Sequence, residues 1–453
     1  MHKTHERLGT EGIKKLVLTQ SAPAITGMLV LALYNLIDTL FIGQGVGANA
    51  IAGLSIVFPI SVIAMALAQG IAVGGASIIS RSLGAKKKET AELVLGNIFA
   101  LSIICGLTIT IAGLLFAVPL LKSFGATPES LPFAIDYLNI TLLGTIFFTF
   151  LIVGNNLLRC EGKAKTAMFS MILSALINII LDPIFIFGFN WGVKGAAWAT
   201  VISQVTMALF LSYFFITGKS ALKLRPHNIK LEKKTVSEIT AVGSSAFTRQ
   251  AANSITIILL NHSLGFYGGT TAIAAFGVIH RLIMLSFMPL YGIAQGLQPI
   301  IGFNYGAGNF KRVIHSIRFS TILSTLIAIV FFATFLLIPD LLLTAFCKDP
   351  NLILLGKPGL RIITFSLPLV GFQVVGITLF QAIGSAKKAL IVSLGRQVLF
   401  LIPLLIIMPL FLKLTGVWVS LLLAEILGSI LTFYFITKEV SRLHVKHLQS
   451  LVI

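Results

Sequence analysis

Apolar runs of some twenty or more residues, divided by short polar turns, recur along the whole chain, and each is long enough at about 1.5 Å per residue to cross a bilayer as a helix. In the first half the runs predict helices over 16–42, 50–79, 90–118, 132–158, 166–188 and 196–217; in the second half over 238–265, 271–301, 313–338, 357–382, 390–412 and 417–437. Twelve spans follow. Gly218 to Ser237 is the one sizeable polar segment, basic and interrupted at Pro226, and reads as a linker. The expected organisation is an all-α polytopic membrane protein with an N-terminal six-helix lobe over 1–217, a basic linker over 218–237 and a C-terminal six-helix lobe over 238–453.

The halves read as copies of one another. Ala50-Ile-Ala52 recurs as Ala272-Ile-Ala274, Gly84-Ala85 as Gly306-Ala307, and Gly162-Lys-Ala-Lys165 as Gly384-Ser-Ala-Lys387, all at a shift of 222; Ala68-Gln-Gly70 returns as Ala294-Gln-Gly296 at 226. Gly195-Ala-Ala-Trp198 stands opposite Gly416-Val-Trp418 at nearly the same shift. An even number of spans per copy gives both halves the same orientation, related by an axis along the membrane normal, and a cavity between two such bundles suits alternating access. Gly70-xxx-Gly74 and Gly292-xxx-Gly296, in the second span of each half, mark close helix packing.

A composition of 56% apolar and 11% charged residues, with mean hydropathy +0.97, excludes a soluble enzyme. The net charge of +19 would suit nucleic acid, but its placement points to a membrane instead. With the N-terminus assigned to the cytoplasm, 25 of the 34 Lys and Arg fall on the inner side, only Lys122, Lys194, Lys348, Lys357, Arg361 and Lys413 fall outside, and Arg249, Arg281 and Arg396 lie near or within spans. This positive-inside pattern predicts cytoplasmic termini and a cytoplasmic linker, in the cell (inner) membrane. The first residues, Met1 to Lys15, carry no short apolar core with a cleavage site, so no cleaved leader is expected. Cys105, Cys160 and Cys347 have no CxxC spacing, which indicates neither a disulfide framework nor a zinc site.

The chemistry resides in the few polar groups placed at membrane depth. Asn178 and Asp182 are four apart and share one helical face, and Pro183 breaks the backbone hydrogen bonding beside them. An ionised Asp at mid-membrane costs roughly 3 kcal/mol, so intramembrane acids are functional unless otherwise satisfied; the competing role is an Asp capping a broken helix. Tyr34, Asn35 and Asp38 lie on adjoining turns of the first span. Thr200 and Gln204 enter on the sixth span, and Tyr137 near the outer start of the fourth. Counting from the cytoplasmic ends, Asp38 lies about 33 Å and Asp182 about 24 Å up their helices, both in the outer half of the membrane. In the second half Glu425 is the clear intramembrane acid, open to two roles: a cavity carboxylate for cationic substrate, or a partner of Arg396 or His262.

Motifs of soluble catalysis are absent. Gly218-Lys-Ser220 resembles the end of a P-loop, but Tyr213 stands where the first Gly is needed, so no ATP is expected to drive the protein; no nucleophile and base pair is readable either.

Four stretches carry a resemblance to a known family: Asn35-Leu-Ile-Asp38-Thr-Leu-Phe-Ile-Gly43, Asn178-xxx-Asp182-Pro183, Gly192-Val-Lys-Gly195-Ala-Ala-Trp198, and Gln298-Pro-Ile-Ile-Gly-Phe-Asn304-Tyr-Gly-Ala-Gly308. Together they make the chain resemble, end to end, a multidrug and toxic compound extrusion (MATE) transporter. The resemblance implies two six-helix lobes around a V-shaped cavity and export of organic, commonly cationic compounds against entry of Na⁺ or H⁺. It implies a cation site, for H⁺ or Na⁺, at Asp38, Asn178, Asp182 and Thr200, with Tyr137 beside it. Because the seventh span offers Asn253, Asn261 and His262, and the tenth Gln373, with no acid in either, the chain is similar to the DinF-like branch with its site in the N-terminal lobe.

The expected activity is therefore cation-coupled antiport of small organic cations or amphiphiles by alternating access, with Gln204, Glu425 and Asn35 as substrate-cavity candidates. No cofactor besides the coupling ion, no nucleic acid and no ATP is expected, the lipid bilayer is the surrounding partner, and the expected state is a monomer. The alternatives are a flippase for a lipid-linked precursor, against which the sparse intramembrane Arg and Lys argue, and a membrane-embedded enzyme.

Overall fold

The computed structural model describes residues 5–218, 220–346 and 349–452, with the side chains of Asn35, Ala48, Pro226 and 450–452 outside the description; Cys347 and Lys348 lie outside the described residues. After a short turn at Arg7–Thr10, the first six spans are α1 (Ile13–Gly45), α2 (Ala48–Gly84), α3 (Lys88–Leu115), α4 (Leu131–Cys160), α5 (Ala164–Pro183, passing into a π-helical turn Ile184–Gly188) and α6 (Val193–Ile216).

The helical rod Lys233–Gly306 is broken at Gly269 into α7 and α8. Phe310–Leu337 is α9, and α10 is a pair, Pro350–Thr364 and Leu367–Ala382, bent by 51°. Ala386–Leu394 continues through a π-helical stretch Gly395–Leu401 into Ile402–Val452, which breaks at Lys413 to separate α11 from α12. Among the described residues this gives twelve membrane-crossing segments and no strand, the architecture expected where every backbone polar group must be satisfied without water.

The breaks repeat at the same shift as the sequence. Left-handed backbone occurs at Gly47 and Gly269, Lys86 and Gly308, and Gly162 and Gly384, each pair 222 residues apart, and at Gly192 and Lys413, 221 apart. Glycine adopts this conformation without steric cost, so two copies of one fold need turn glycines in register. Within these pairs Lys86 and Lys413 are the two non-glycine positions that adopt it; Asn190, outside them, is another. The short helices Ala117–Ser123 and Pro339–Phe346, on the third-to-fourth and ninth-to-tenth connections, begin 222 residues apart as well, inside segments expected to be plain turns.

The chain forms two compact units, residues 1–7 with 26–243, and 8–25 with 244–453. In the first unit the glycines of α2 admit the start of α7: a Cβ on Gly74 would stand 2.1 Å from the Ile239 carbonyl oxygen, and one on Gly243 would stand 2.2 Å from that of Gly70. In the second unit Gly292 and Gly296 of α8 admit the start of α1 in the same manner, at Ile25 and Ser21. The small-residue motifs thus serve backbone-to-backbone packing.

Residues 220–232 are tied to the rest of the first unit by buried polar groups. Glu161, 1% exposed, accepts from Ser220 Oγ, from the Ala221 N–H at 3.0 Å and from Lys163 at 2.8 Å. Asn97 donates to the carbonyls of Asn228 and Lys230 and accepts the Glu232 N–H at 2.8 Å. The helix α7 begins at Lys233, inside the stretch the sequence assigns to the linker.

Candidate functional site

The site forms where α1, α4, α5 and α6 meet in the first unit. Pro183 has no N–H to continue the α-helical ladder, and α5 widens there into the π-helical turn 184–188. Two glycines let neighbours close on that turn: a Cβ on Gly45 of α1 would stand 2.4 Å from Ile186, and one on Gly195 of α6 would stand 2.8 Å from the Phe185 backbone. Ala196 and Ala197, fully buried, continue the close approach of α6. The small residues around Gly195 therefore bring Thr200 beside Asp182.

Asp182 is fully buried, Asn178 1% exposed, and Asp38 and Thr200 7% each. The Asp38 carboxylate lies close to that of Asp182. With its amide oriented to satisfy both neighbours, Asn178 donates from Nδ2 to Asp182 Oδ2 at 3.1 Å and accepts the Thr200 backbone N–H at 3.2 Å. Tyr34 and Tyr137 lie beside Thr200 and the two carboxylates. One oxygen of Asp38, Oδ1, is buried with no hydrogen-bond partner among the described residues. No Lys or Arg pairs with either carboxylate there.

Two carboxylates sharing a dry site cannot both hold a bare charge, so the pair calls for a proton or a cation. The acceptor oxygens around it are those of the two carboxylates, the Thr200 hydroxyl and two phenols, while Asn178 turns its Nδ2 to Asp182 and its oxygen to the Thr200 N–H. Such a set suits a proton or a hard ion such as Na⁺ and is poorly matched to a soft metal. No cluster of three or more His, Cys, Asp or Glu that could hold a metal ion occurs among the described residues.

Of the residues singled out from sequence, Asp38, Asn178, Asp182, Thr200 and Tyr137 come together here. Tyr34, placed on the same face of α1 by its four-residue spacing from Asp38, joins them. Gln204 lies one turn from Thr200 on α6, its Oε1 buried against Gly144 of α4 without a hydrogen-bond partner among the described residues. Asn35 lies on α1, with its side chain outside the described residues.

Glu425 is elsewhere, in the second unit, where it pairs with Arg396 and accepts Gln373 Nε2 at 2.9 Å; Gln373 also donates to Ser429 at 2.8 Å. Of its two roles open at the sequence level, the paired arrangement is the one present. The π-helical stretch over 395–401 that presents Arg396 has no local sequence signal; the same-span spacing of Glu425 and Ser429 is the trace of the network that sequence did carry.

Comparison with known proteins identifies the family. The MatE family model matches residues 23–184 and again 245–407, the two repeats. The multidrug export protein MepA of Staphylococcus haemolyticus (strain JCSC1435) is 30% identical over 433 residues, 96% of this chain and 95% of that protein, and MepA of Staphylococcus aureus (strain MSSA476) is 31% identical over 413 residues, 91% and 90% of the two chains. Among solved structures, a multidrug resistance MATE family transporter of the MOP superfamily in an outward-facing conformation superposes with a TM-score of 0.91 at 30% identity, covering 97% of this chain and 98% of that one. A MATE structure in the bent conformation gives 0.93 at 30% identity, covering 98% and 99%. The chain belongs to the MATE family of multidrug efflux transporters, and is a multi-pass membrane protein.

Proposed function

We propose that this transporter is a secondary antiporter, in which a proton or Na⁺ held at Asp38 and Asp182 drives export of organic cations and amphiphiles by alternating access. The observation that carries the reading is the buried carboxylate pair with no basic residue against it and one Asp38 oxygen left without a partner. A site with that excess of negative charge is stable only when a cation occupies it, so loading and release of the ion change the energy of the first unit by an amount that transport can use. Asn178 orients Asp182 and is itself fixed by the Thr200 N–H, and the Thr200 hydroxyl and the Tyr34 and Tyr137 phenols add oxygens around the pair. Drugs named for the staphylococcal relatives as a class, rather than a single metabolite, suit an exporter of broad specificity.

The orientation proposed is the one read from charge: both termini and residues 218–237 on the cytoplasmic side of the cell membrane, the transporter acting as a monomer. Expression in cells lacking their own efflux pumps tests the reading. Ethidium accumulation falls with the parent chain, and with Asp182→Asn or Asp38→Asn it returns to the level of cells without the transporter while membrane abundance is retained. Resistance equal to the parent's in either variant removes that residue from the site.

A further inference from the structure

The second unit carries an excess of positive charge at membrane depth. Arg249 on α7, Arg281 on α8 and Arg396 on α11 stand against one acid at that depth, Glu425, which Arg396 already engages; Glu439 lies at the cytoplasmic end of α12 beside Lys388 and Arg442. Arg249 is about 24 Å from the start of its helix, well inside the span. Among the described residues no carboxylate lies within ion-pairing distance of it. Its guanidinium sits over the Tyr291 ring, 5.5 Å from the centroid. One turn along α7, Asn253 accepts from Gln397 Nε2 at 3.4 Å, so the 249 and 253 face of α7 is turned toward the 396 and 397 stretch of α11.

Gln397 is 2% exposed, yet its Oε1 has no hydrogen-bond partner among the described residues. Beside this polar face is an apolar wall: Phe287 packs on Tyr291 at 6.0 Å, over Leu290, Val370 and Val374. A cation–π contact offsets part of the cost of a guanidinium within a membrane but leaves its charge uncompensated. A planar guanidinium with free donors is the group of choice for a carboxylate, sulfonate or phosphate.

We propose that Arg249, with Tyr291 and Arg396, forms a binding site in the second unit for the acidic group of amphiphilic substrates, so that zwitterions with an organic cation at one end and a carboxylate or similar anion at the other are preferred cargo. The proposal rests on the multidrug antiport reading and narrows its substrate class. Arg249 supplies the uncompensated charge, Arg396 is held in place by Glu425, which Gln373 in turn holds, and the Phe287 and Tyr291 rings receive the apolar body.

The test uses one chromophore in two charge forms: rhodamine B, whose carboxylate is free at neutral pH, and its ethyl ester, which is a simple cation. Binding of each to the full chain in lipid nanodiscs is read by fluorescence anisotropy, with empty nanodiscs as the blank, and the quantity of interest is the ratio of the two affinities. Arg249→Gln lowers the rhodamine B to ester ratio by about tenfold, the worth of one charge-assisted hydrogen bond, and Arg249→Lys restores part of it. A ratio unchanged in Arg249→Gln overturns the anion site while leaving the antiport reading intact. Failure of the parent to bind rhodamine B, with the ester still bound, also overturns the site, and failure to bind either dye removes the cationic-substrate reading together with it.

Discussion

At the scale of single residues, the account turns on which groups satisfy Asp182. Asn178 reaches it from the preceding turn of α5 and reaches α6 through the Thr200 N–H, so these two residues position the carboxylate rather than merely add oxygens. If they help to hold a metal ion, their loss affects a large hydrated cation more than a proton, which needs only a carboxylate oxygen. Asn178→Ala and Thr200→Ala are therefore expected to weaken Na⁺ stimulation of efflux from proteoliposomes by about tenfold or more, and to weaken efflux driven by a pH gradient severalfold less. Equal losses under both gradients would assign them a structural role only. The sequence made Asp38, Asn178 and Asp182 legible because charge and amide groups stand out in apolar runs. It gave weaker notice of Tyr34, whose phenol is an ordinary occupant of a membrane helix, and did not choose between the two roles of Glu425, because pairing with Arg396 depends on how α11 and α12 rotate about their axes.

At the scale of elements, helix existence was legible and helix breaks were less so. Run lengths located most span ends to within about five residues, since water-to-lipid transfer dominates every other local preference, but α10 begins at Pro350 rather than 357 and α12 continues to Val452 rather than ending at 437, the α12 extension lying in more polar sequence. The bend between Thr364 and Leu367 in α10 and the π-helical stretch in α11 leave no mark on hydropathy, because both occur within apolar sequence. The paired glycines were visible as motifs, but not what they pack against. Their role is testable by adding one methyl group. Gly74→Ala drives a Cβ into the Ile239 carbonyl and is expected to destabilise the chain by about 1–3 kcal/mol, whereas Gly277→Ala, on α8 with open space around it, is expected to leave thermal stability unchanged or slightly raised. Thermal unfolding of the two purified variants checks this, and equal melting temperatures would remove the close-packing role.

At the scale of the molecule, the repeat appears three times over: in the matched sequence fragments, in the two MatE matches and in turn residues of left-handed backbone in register. The proposed orientation follows from basic residues instead, and is checked in whole cells on a background free of native cysteines. Cysteines at Lys87 and Lys230 are expected to resist an impermeant thiol reagent and one at Asn190 to react; labelling at Lys230 from outside would invert the topology. Energy coupling is the central claim. Two carboxylates are by themselves sufficient to carry protons, so an imposed pH gradient should suffice to drive transport. The measurement that addresses it most directly is dye efflux from sodium-free proteoliposomes containing only the purified chain, driven by an imposed pH gradient. The account predicts gradient-dependent efflux by the parent and none by Asp182→Asn; parent efflux that ignores both this gradient and an imposed Na⁺ gradient, or full efflux by Asp182→Asn, would contradict it.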